Sequence, residues 1–352
     1  MPLSDYDYEL PQSFIAQEGV EPREAARLMV LGADDGVAHS HIRDLPRLLG
    51  RGDVLVLNES RVLPARVRCR KPTGGRVELL FLGAGAALPG EDDADAECLV
   101  GGKGLHEGST IVLGVGVDAV EAELGPSIGE GRFIVRLPDG ATAMSVMRRW
   151  GEMPTPPYIR TRLNDQARYQ TTFARVDGSI AAPTAGLHFT PSLLEGLSAR
   201  GVQVIKLVLH VGVGTFKPVR AERVEDHRMD AERAVVSADV AAALNVAIDE
   251  GRSVVAVGTT TVRTLETATG PEGRVRPFDG MTDLFIHPPY RFHFPYSGLL
   301  TNFHLPRSTL LMLVSAYAGR ERVLAAYEDA KRLGYRFYSL GDAMMFRGGP
   351  VG

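Results

Sequence analysis

From residue 154 onward, apolar segments of strand length alternate with segments of helical character. The predicted strands are 202–209 and 253–257, and the predicted helices are 192–200, 238–250, 306–318 and 325–333. This alternation is typical of a sheet with parallel strands that are connected through helices. Before residue 62, residues 22–31 carry apolar side chains into a predicted strand, and 53–58 is a short apolar run typical of a buried strand.

A different pattern separates these two parts. Short segments with strand-like alternation are divided by clusters of Gly, Pro and Asp, at 66–70, 76–82, 109–113, 119–124 and 132–137. Short strands with turn signals at this spacing predict a small β-barrel. The predicted fold class is therefore α/β: a domain with a parallel or mixed sheet and helices (1–62 and 154–352), interrupted by an inserted small antiparallel β-barrel (63–153). The acidic stretch 83–96 is predicted to be a surface loop without a chemical role.

Composition favours a cytoplasmic protein. The 352 residues are 44% hydrophobic and carry a net charge of −4, which excludes a basic coat over the whole surface. The first residues have no basic segment followed by an apolar one, so no secretory signal is expected. The longest apolar run, 310–318, is shorter than the ~20 residues of a membrane span. Cys69 and Cys98 do not form a CxxC pair and are expected to be reduced thiols.

Common cofactor motifs are weak in this chain. Residues 114–119 match the loose dinucleotide fingerprint, but strand-like alternation follows at 120–124, so we interpret them as a turn between strands. No phosphate-binding lysine motif of the Walker type occurs. His39 and His41 could bind a metal, but they lack a third ligand nearby.

The segments that could contain catalytic or ligand-binding residues follow the ends of predicted strands. Residues 179–190 are almost uncharged and bring together Thr184, Gly186 and His188. Small residues allow a ligand to approach the backbone, and His188 is the one titratable group in this segment. It is either a buried structural histidine or a residue that moves a proton. His210 lies beside Gly212 and Gly214 just after a strand, where open α/β sheets bind ligands.

Two later segments have the same form. Thr259, Thr260 and Arg263 begin a helix after strand 253–257, which favours an anion or carboxylate site. Asn302 and His304 precede an apolar helix. Asp342 follows another predicted strand, 335–339.

Basic residues concentrate on both sides of the predicted barrel. The first strip contains Arg61, Arg66, Arg68, Arg70, Lys71 and Arg76, and the second contains Tyr158, Arg160, Arg162, Arg168 and Tyr169. Each strip alone is most simply a solvated face. Because both flank one domain boundary, we expect a basic, partly aromatic cleft there, which binds phosphates through charge and bases through stacking.

Long strings in the chain resemble the S-adenosylmethionine:tRNA ribosyltransferase-isomerase family almost from end to end. They include LSDYDYELP (3–11), AAPTAGLHF (181–189), LHVGVGTFKPV (209–219), VVAVGTTTVRTLE (254–266), TNFHLPRSTLLMLVSAYAG (301–319) and YRFYSLGDAM (335–344). The chain departs from the family pattern at Thr155, where a leucine is usual, and at Asp230, where a second histidine usually follows the first. Asp230 and His227 are therefore secondary candidates for catalysis.

The resemblance implies that the ribosyl part of S-adenosylmethionine is transferred to 7-aminomethyl-7-deazaguanine at the tRNA wobble position and isomerised, with release of adenine and methionine. S-adenosylmethionine is then a co-substrate, and neither metal, flavin nor nicotinamide is expected. The candidate catalytic residues are His188, His210, His304 and Asp342. The residues expected to bind S-adenosylmethionine are Thr184, Gly186, Gly212, Gly214, Thr259, Thr260, Arg263 and Asn302. Those expected to bind tRNA are Arg61, Arg66, Lys71, Tyr158, Arg160 and Arg162.

Two alternatives remain open on the sequence. A non-catalytic RNA-binding protein would carry the basic strips without the crowded His, Thr, Asn and Gly loops. An S-adenosylmethionine-dependent RNA methyltransferase would need a different cofactor loop. The oligomeric state is not determined by the sequence, although a monomer is favoured.

Overall fold

The computed structural model describes residues 1–34, 36–82, 95–114, 116–156, 158–160, 165–216 and 219–351. The chain divides into two compact units. The first contains Met1–Arg61, Pro157–Val176 and Ala182–Gly352, and the second contains Val62–Pro156 and Asp177–Ala181. The short return of 177–181 to the second unit has no counterpart in the predicted division.

The secondary-structure elements are numbered along the described chain. The strands are β1 Arg27–Leu31, β2 Val37–His41, β3 Val54–Asn58, β4 Ser60–Val62, β5 Arg66–Arg70, β6 Arg76–Phe81, β7 Asp95–Gly101, β8 Thr110–Leu113, β9 Val120–Gly129, β10 Arg132–Arg136, β11 Gly151–Glu152, β12 Val176–Ser179, β13 Gln203–Leu209, β14 Glu232–Val236, β15 Val254–Val257, β16 Phe278–Thr282, β17 Gly298–Asn302 and β18 Ala343–Arg347. The helices are α1 Leu45–Leu48, α2 Ala143–Trp150, α3 Pro191–Ala199, α4 Ala238–Asp249, α5 Thr259–Ala268, α6 Thr309–Ala318 and α7 Arg320–Arg332.

The first unit is built on one mixed sheet. Among the described residues its strand order is β16-β14-β13-β3-β15-β17-β18-β1-β2. Strands β13, β3, β15 and β17 are mutually parallel, whereas β18 runs antiparallel to β17. The predicted α/β class with a parallel or mixed sheet is confirmed.

The sheet separates two hydrophobic cores, because successive side chains of a strand point to opposite faces. In β1, Met29 and Leu31 belong to the core that contains residues of α4, α5, α6 and α7. Leu28 and Val30 belong to the other core, with residues of α1 and α3. Both faces of the sheet are thus covered, and its polar residues concentrate where the strands end.

The second unit contains the predicted barrel. Strands β5, β6, β7, β10, β9 and β8 pair in this order, and pairing of β5 with β8 closes the ring. Residues 114–119 lie between the paired strands β8 and β9, as predicted, with Val115 outside the described residues. Most of the predicted loop 83–96 is also outside them, and β7 already begins at Asp95.

Side-chain caps determine where several helices begin. Thr190, Ser237 and Ser308 each accept a hydrogen bond from a backbone N–H of the first helical turn, at the starts of α3, α4 and α6. The helix predicted at 306–318 therefore starts at Thr309, after Arg307 with a positive φ of 54°. The helix predicted at 325–333 begins earlier, at Arg320.

The prediction of a strand at 335–339 is wrong. Tyr335 and Phe337 are fully buried, so their apolar character reflects burial rather than an extended backbone. Tyr338 has a φ of 73°, in the left-handed region that a strand does not use. The segment forms a loop that leads into β18, a strand the sequence pattern did not predict. Within the described residues, no helix has both the length and the apolar character of a membrane span.

Candidate active site at one edge of the sheet

The topology brings most of the predicted site residues to one edge of the mixed sheet. The parallel strands β3, β13, β15 and β17 all end there, with Asn58 and Asn302 as the last residues of β3 and β17. His210 and Thr259 follow the ends of β13 and β15 closely. Because β18 is antiparallel to β17, Asp342 before its first residue lies at the same edge.

Asn302 is the centre of a buried hydrogen-bond network. Its Oδ1 accepts a bond from Thr184 Oγ1 at 3.1 Å, and its Nδ2 donates to the carbonyl of Tyr338 at 3.2 Å. The same Nδ2 lies 3.2 Å from His188 Nε2. Since an amide nitrogen only donates, Nε2 of His188 is the acceptor and the proton of its neutral ring lies on Nδ1. This network joins two predicted segments, 179–190 and 300–309, to the loop before β18.

The electrostatic environment keeps His188 neutral. Its side chain is 5% exposed, and burial lowers its pKa from 6.5 to about 4, with the guanidinium groups of Arg336 and Arg23 adding to the decrease. Removing a charged group from water disfavours the charged form, and nearby positive charge does the same to an imidazolium. At neutral pH the ring can therefore accept a proton but does not carry a second one.

His304 is also neutral, but its contacts are those of a buried structural residue. Its Nε2 lies 3.0 Å from Thr301 Oγ1, its backbone N–H donates to Tyr327 Oη at 2.9 Å, and its carbonyl accepts a bond from Tyr8 Oη. Burial alone lowers its pKa to about 3. These bonds join the start of the loop after β17 to the N-terminal segment and α7.

Asp342 holds backbone groups in place. Its Oδ1 accepts a bond from the N–H of Arg27 at 2.9 Å, and its Oδ2 accepts one from the N–H of Arg336 at 2.8 Å. The side chain is 2% exposed. Both carboxylate oxygens are thus engaged in connecting β1 to the loop before β18.

The glycine loop after β13 is held by a buried ion pair. Glu232 Oε1 accepts a bond from the N–H of Gly212 at 2.8 Å, and its Oε2 is paired with Arg263. Arg263 also donates to the carbonyl of Leu284 at 3.0 Å. The predicted anion-binding guanidinium is therefore engaged by Glu232, a residue whose role sequence reasoning missed because no nearby pattern marks it.

The neighbourhood of this loop contains the secondary candidates. A Cβ at Gly214 would approach Asp230 Oδ2 to 2.6 Å, so the two are in close contact. The ring of His227 stacks edge-on against Phe285 with 5.3 Å between centroids, and burial lowers its pKa. His210 Nδ1 lies 2.8 Å from Ser60 Oγ.

Two cavities adjoin the Asn302 network. The first, of about 290 Å³, lies against His188, Arg23 and Ser339. The second is about 30 Å³ and is lined by Thr184, Asn302, Ser339 and the first residues of α5. Thr260 Oγ1, in this second lining, is buried and has no hydrogen-bond partner among the described residues. An unsatisfied buried hydroxyl is costly, so this atom is suited to contact a ligand.

Gly186, predicted to bind the co-substrate, lines neither cavity and is required by packing. A Cβ at Gly186 would lie 3.0 Å from both Phe173 Cζ and Thr171 Cγ2, so this turn accepts little more than hydrogen. The left-handed Tyr338 directs its carbonyl to Asn302, and a non-glycine residue in that conformation costs about 1–3 kcal/mol. Tyr338 and Ser339 were missed from the sequence because the segment was interpreted as a strand.

The predicted tRNA-binding residues differ in their availability. Within the second unit, Arg66 donates to the Thr155 carbonyl at 3.0 Å and pairs with Glu78 at 3.3 Å, and Lys71 donates to the Gly104 carbonyl at 3.0 Å. Within the first unit, Arg61 donates to the Ala174 carbonyl at 2.8 Å.

Tyr158 and Arg160 differ in their exposure. The Tyr158 ring lies 4.2 Å from that of Tyr338, its hydroxyl bonds Ser339, and burial raises its pKa. Tyr158 therefore completes the wall of the first unit rather than presenting an open stacking face. Arg160 is exposed, and its guanidinium has no partner among the described residues. Arg162 lies outside them.

Residues 3–346 match the family described as "Queuosine biosynthesis protein". The S-adenosylmethionine:tRNA ribosyltransferase-isomerase of Desulfitobacterium hafniense is 47% identical over 347 residues, covering 98% of this chain and 99% of the relative. The enzyme of the same name from Symbiobacterium thermophilum is 49% identical over 348 residues, with the same coverage. The crystal structure of S-adenosylmethionine tRNA ribosyltransferase from Thermotoga maritima is 36% identical, with a TM-score of 0.55 and coverage of 97% of this chain and 100% of that chain.

A mixed α/β sheet with a closed barrel and a polar, cavity-bearing sheet edge, matched at this identity over nearly its whole length, defines an enzyme of the transferase class. The chain belongs to the queuosine biosynthesis protein family. The resemblance stated from the sequence is confirmed.

The buried histidines predict a loss of stability in acid. The unfolded chain binds protons at these residues near pH 6.5, whereas the folded protein does so only near about 4 at His188 and about 3 at His304. Between these values the unfolded state holds more protons, so the free energy of unfolding falls as the pH decreases, by up to about 1.4 kcal/mol per pH unit for each histidine. Urea unfolding at pH 7 and pH 5 measures this.

His304→Gln should make this pH dependence weaker, since glutamine does not titrate and retains a polar group near Thr301. His106→Gln is the matched control, because His106 is exposed and its substitution should leave the pH dependence as in the wild type. An unchanged slope in the His304 variant would show that this ring titrates alike in both states.

Proposed function

We propose that this protein transfers and isomerises the ribosyl moiety of S-adenosylmethionine onto 7-aminomethyl-7-deazaguanine at the wobble position of tRNA. The products are epoxyqueuosine-tRNA, adenine and methionine. The observation that carries this proposal is the gathering of Thr184, His188 and Asn302 into one network beside two cavities, in a chain 47% identical to enzymes named for this reaction. We also propose that the protein acts in the cytoplasm.

The chemistry requires a proton acceptor near the 5′-carbon beside the sulfonium, a proton source for adenine, and fixed polar groups for the ribose hydroxyls. His188 is the proposed acceptor because it is unprotonated at neutral pH and lines the larger cavity. Its Nε2 already accepts the Asn302 N–H. Proton acceptance there requires the amide to move away, which makes Asn302 part of the same step.

Polar atoms at the second cavity are proposed to hydrogen-bond to the ribosyl hydroxyls rather than to enclose the sugar, because a cavity of about 30 Å³ holds only about one or two water molecules. Thr260 Oγ1 is buried without a described partner, and Thr184 Oγ1 lies within the Asn302 network. Gly212 and Gly214 follow β13 at the same sheet edge, but the N–H of Gly212 is engaged by Glu232 and the space beside Gly214 is occupied by Asp230, so both glycines are assigned to holding this loop. Thr259 begins α5, and a helix N-terminus directs backbone N–H groups toward an anion. His210, His304 and Asp342 are proposed to hold the loops of the site in place, because the described hydrogen bonds of their side chains are to other groups of the protein.

Purified protein with S-adenosylmethionine and precursor tRNA should yield epoxyqueuosine-tRNA, adenine and methionine in equal amounts. Turnover should persist with a chelator, because no cluster of three metal-ligating side chains occurs among the described residues. Mass spectrometry with ribosyl-labelled and methyl-labelled co-substrate separates the alternatives. Ribosyl label should reach the tRNA, whereas transfer of methyl label alone would establish a methyltransferase.

His188→Ala should lower kcat by about 10²–10⁴-fold, the usual contribution of a positioned base, while tRNA affinity stays near the wild-type value. His188→Asn keeps a polar side chain that does not titrate near neutral pH and should be equally slow. With a pKa of about 4, wild-type kcat should fall in acid only as the pH approaches that value.

Thermal unfolding of both variants is the control, because a purely structural His188 would reduce the amount of folded protein and not the rate of the folded fraction. A folded His188→Asn enzyme with near-normal turnover would remove this residue from the mechanism.

Of the predicted tRNA contacts that the structure describes, Arg160 is proposed to meet a phosphate, because its side chain is exposed and has no described partner, whereas Arg61, Arg66 and Lys71 are engaged. Arg160→Ala should weaken tRNA binding and reduce the slope of log K against log salt by about one. Arg200→Ala is the matched control: Arg200 is exposed too, but it precedes β13 at the opposite sheet edge. Filter binding at several salt concentrations gives both slopes, and an unchanged slope in the Arg160 variant would contradict this contact.

A further inference from the structure

The larger cavity contains the guanidinium of Arg23, which forms no ion pair with a described residue. Burial lowers its pKa, and the carboxylate of Asp165 in the same lining raises it without coming within ion-pair distance. Arg23 Nη1 donates to the carbonyls of Gln170 at 2.7 Å and Leu187 at 3.3 Å, and its Nη2 donates to that of Ala167 at 2.9 Å. These acceptors are neutral, and no ion pair joins Arg23 to a described residue. A guanidinium has five N–H donors, so Nε and one hydrogen of Nη2 remain for a ligand.

A second guanidinium adds positive charge beside the same histidine. Arg336 Nη1 donates to the carbonyl of Glu18 at 3.1 Å, and its buried Nη2 has no hydrogen-bond partner among the described residues. The nearest carboxylate oxygen, on Asp342, is 3.8 Å away and belongs to a group whose two oxygens accept backbone N–H bonds. Burial is the largest cause of the lowered pKa of His188, and the positive charges of Arg336 and Arg23 lower it further. Both guanidinium groups therefore act on the histidine that lines this cavity.

The cavity also contains a free carboxylate. Glu18 lies in its lining and is exposed, and its side chain has no partner among the described residues. The other acidic groups of the lining are engaged: Glu21 pairs with Arg168, and Asp165 accepts the N–H of Ala167 at 2.9 Å. A cavity whose lining holds a guanidinium without an ion pair and a carboxylate without a described partner suits a zwitterion, which carries one charge of each sign.

The volume of the cavity indicates how large a chemical group it can hold. At about 290 Å³ it is at the lower end of the roughly 300–1,000 Å³ of small-molecule pockets. It is therefore large enough for an amino-acid group. Ser339 lines both this cavity and the smaller one at Thr184 and Thr260, so a ligand extending past Ser339 would reach both.

We propose that this cavity binds the amino-acid end of S-adenosylmethionine, with the α-carboxylate on Arg23 and the α-ammonium near Glu18. The assignment rests on the proposed function. It places the sulfonium between the two cavities, close to His188, and makes this cavity the site from which methionine is released. Arg23 and Glu18 are then specificity-determining residues for the co-substrate.

Decarboxylated S-adenosylmethionine, which lacks the α-carboxylate but keeps the amine, tests the assignment. Calorimetry with the full-length wild type should give tighter binding of S-adenosylmethionine than of this analogue by roughly 10- to 100-fold, the effect of a hydrogen bond to a charged group. Arg23→Gln should abolish the preference by weakening S-adenosylmethionine alone. Glu18→Gln should weaken both ligands equally and preserve the preference.

Arg23→Lys covers the case in which loss of three carbonyl contacts prevents folding of the Gln variant, and it should reduce the preference several-fold. Arg252→Lys is the matched control: this partly buried arginine also donates to a backbone carbonyl, of Gly52, but does not line the cavity. A preserved preference in the folded Arg23 variants would overturn the proposal.

A reduced salt slope for tRNA in these variants, with unchanged S-adenosylmethionine binding, would instead assign the cavity to a phosphate and overturn the proposal as well. Failure of this subsite can be distinguished from failure of the proposed function. If the wild type forms epoxyqueuosine-tRNA while the Arg23 variants keep the carboxylate preference, this subsite alone is wrong. If the wild type neither binds S-adenosylmethionine nor forms product, the proposed function fails too.

Discussion

The site depends on one amide. Asn302 lies at the end of β17 and is the only described residue that hydrogen-bonds to Thr184, His188 and Tyr338 together. In a buried environment each unsatisfied polar group costs free energy, so these bonds fix the amide orientation, the histidine tautomer and the left-handed loop at Tyr338 as one unit. The tautomer, in turn, determines which ring nitrogen of His188 accepts a proton.

The sheet topology explains why so many distant segments meet there. Four parallel strands end at one edge, and the antiparallel β18 adds the loop that precedes it. Residues at such an edge are held by rigid strands, whereas the side chains that face a ligand come from the loops. The buried pair of Glu232 and Arg263 and the carboxylate of Asp342 act on these loops through backbone N–H groups. Much of the polar composition of the edge thus serves to hold the backbone.

Local patterns predicted the architecture but not all of the site. Alternation along β5 and the apolar run of α6 are local properties, so the barrel and most helix positions followed from the sequence, whereas the capping residues that fix the helix starts were not predicted. Tyr338 could not be placed, because a buried aromatic segment has the same composition in a loop as in a strand. Arg23 and Glu18 gave no signal, since their importance comes from a cavity formed by four separate segments. Conversely, Arg263 was predicted to bind an anion. No local pattern indicates that its ion-pair partner is Glu232, which lies on another strand.

A crystal structure with bound S-adenosylmethionine tests the central claim most directly. The account predicts that the ribosyl hydroxyls lie within hydrogen-bond distance of Thr184 or Thr260, that His188 Nε2 is the ring nitrogen closest to the 5′-carbon, and that the Asn302 amide has shifted from it. Density for the co-substrate elsewhere, for example in the large groove lined by Tyr290 and Arg320, with the Asn302 network unchanged, would contradict it.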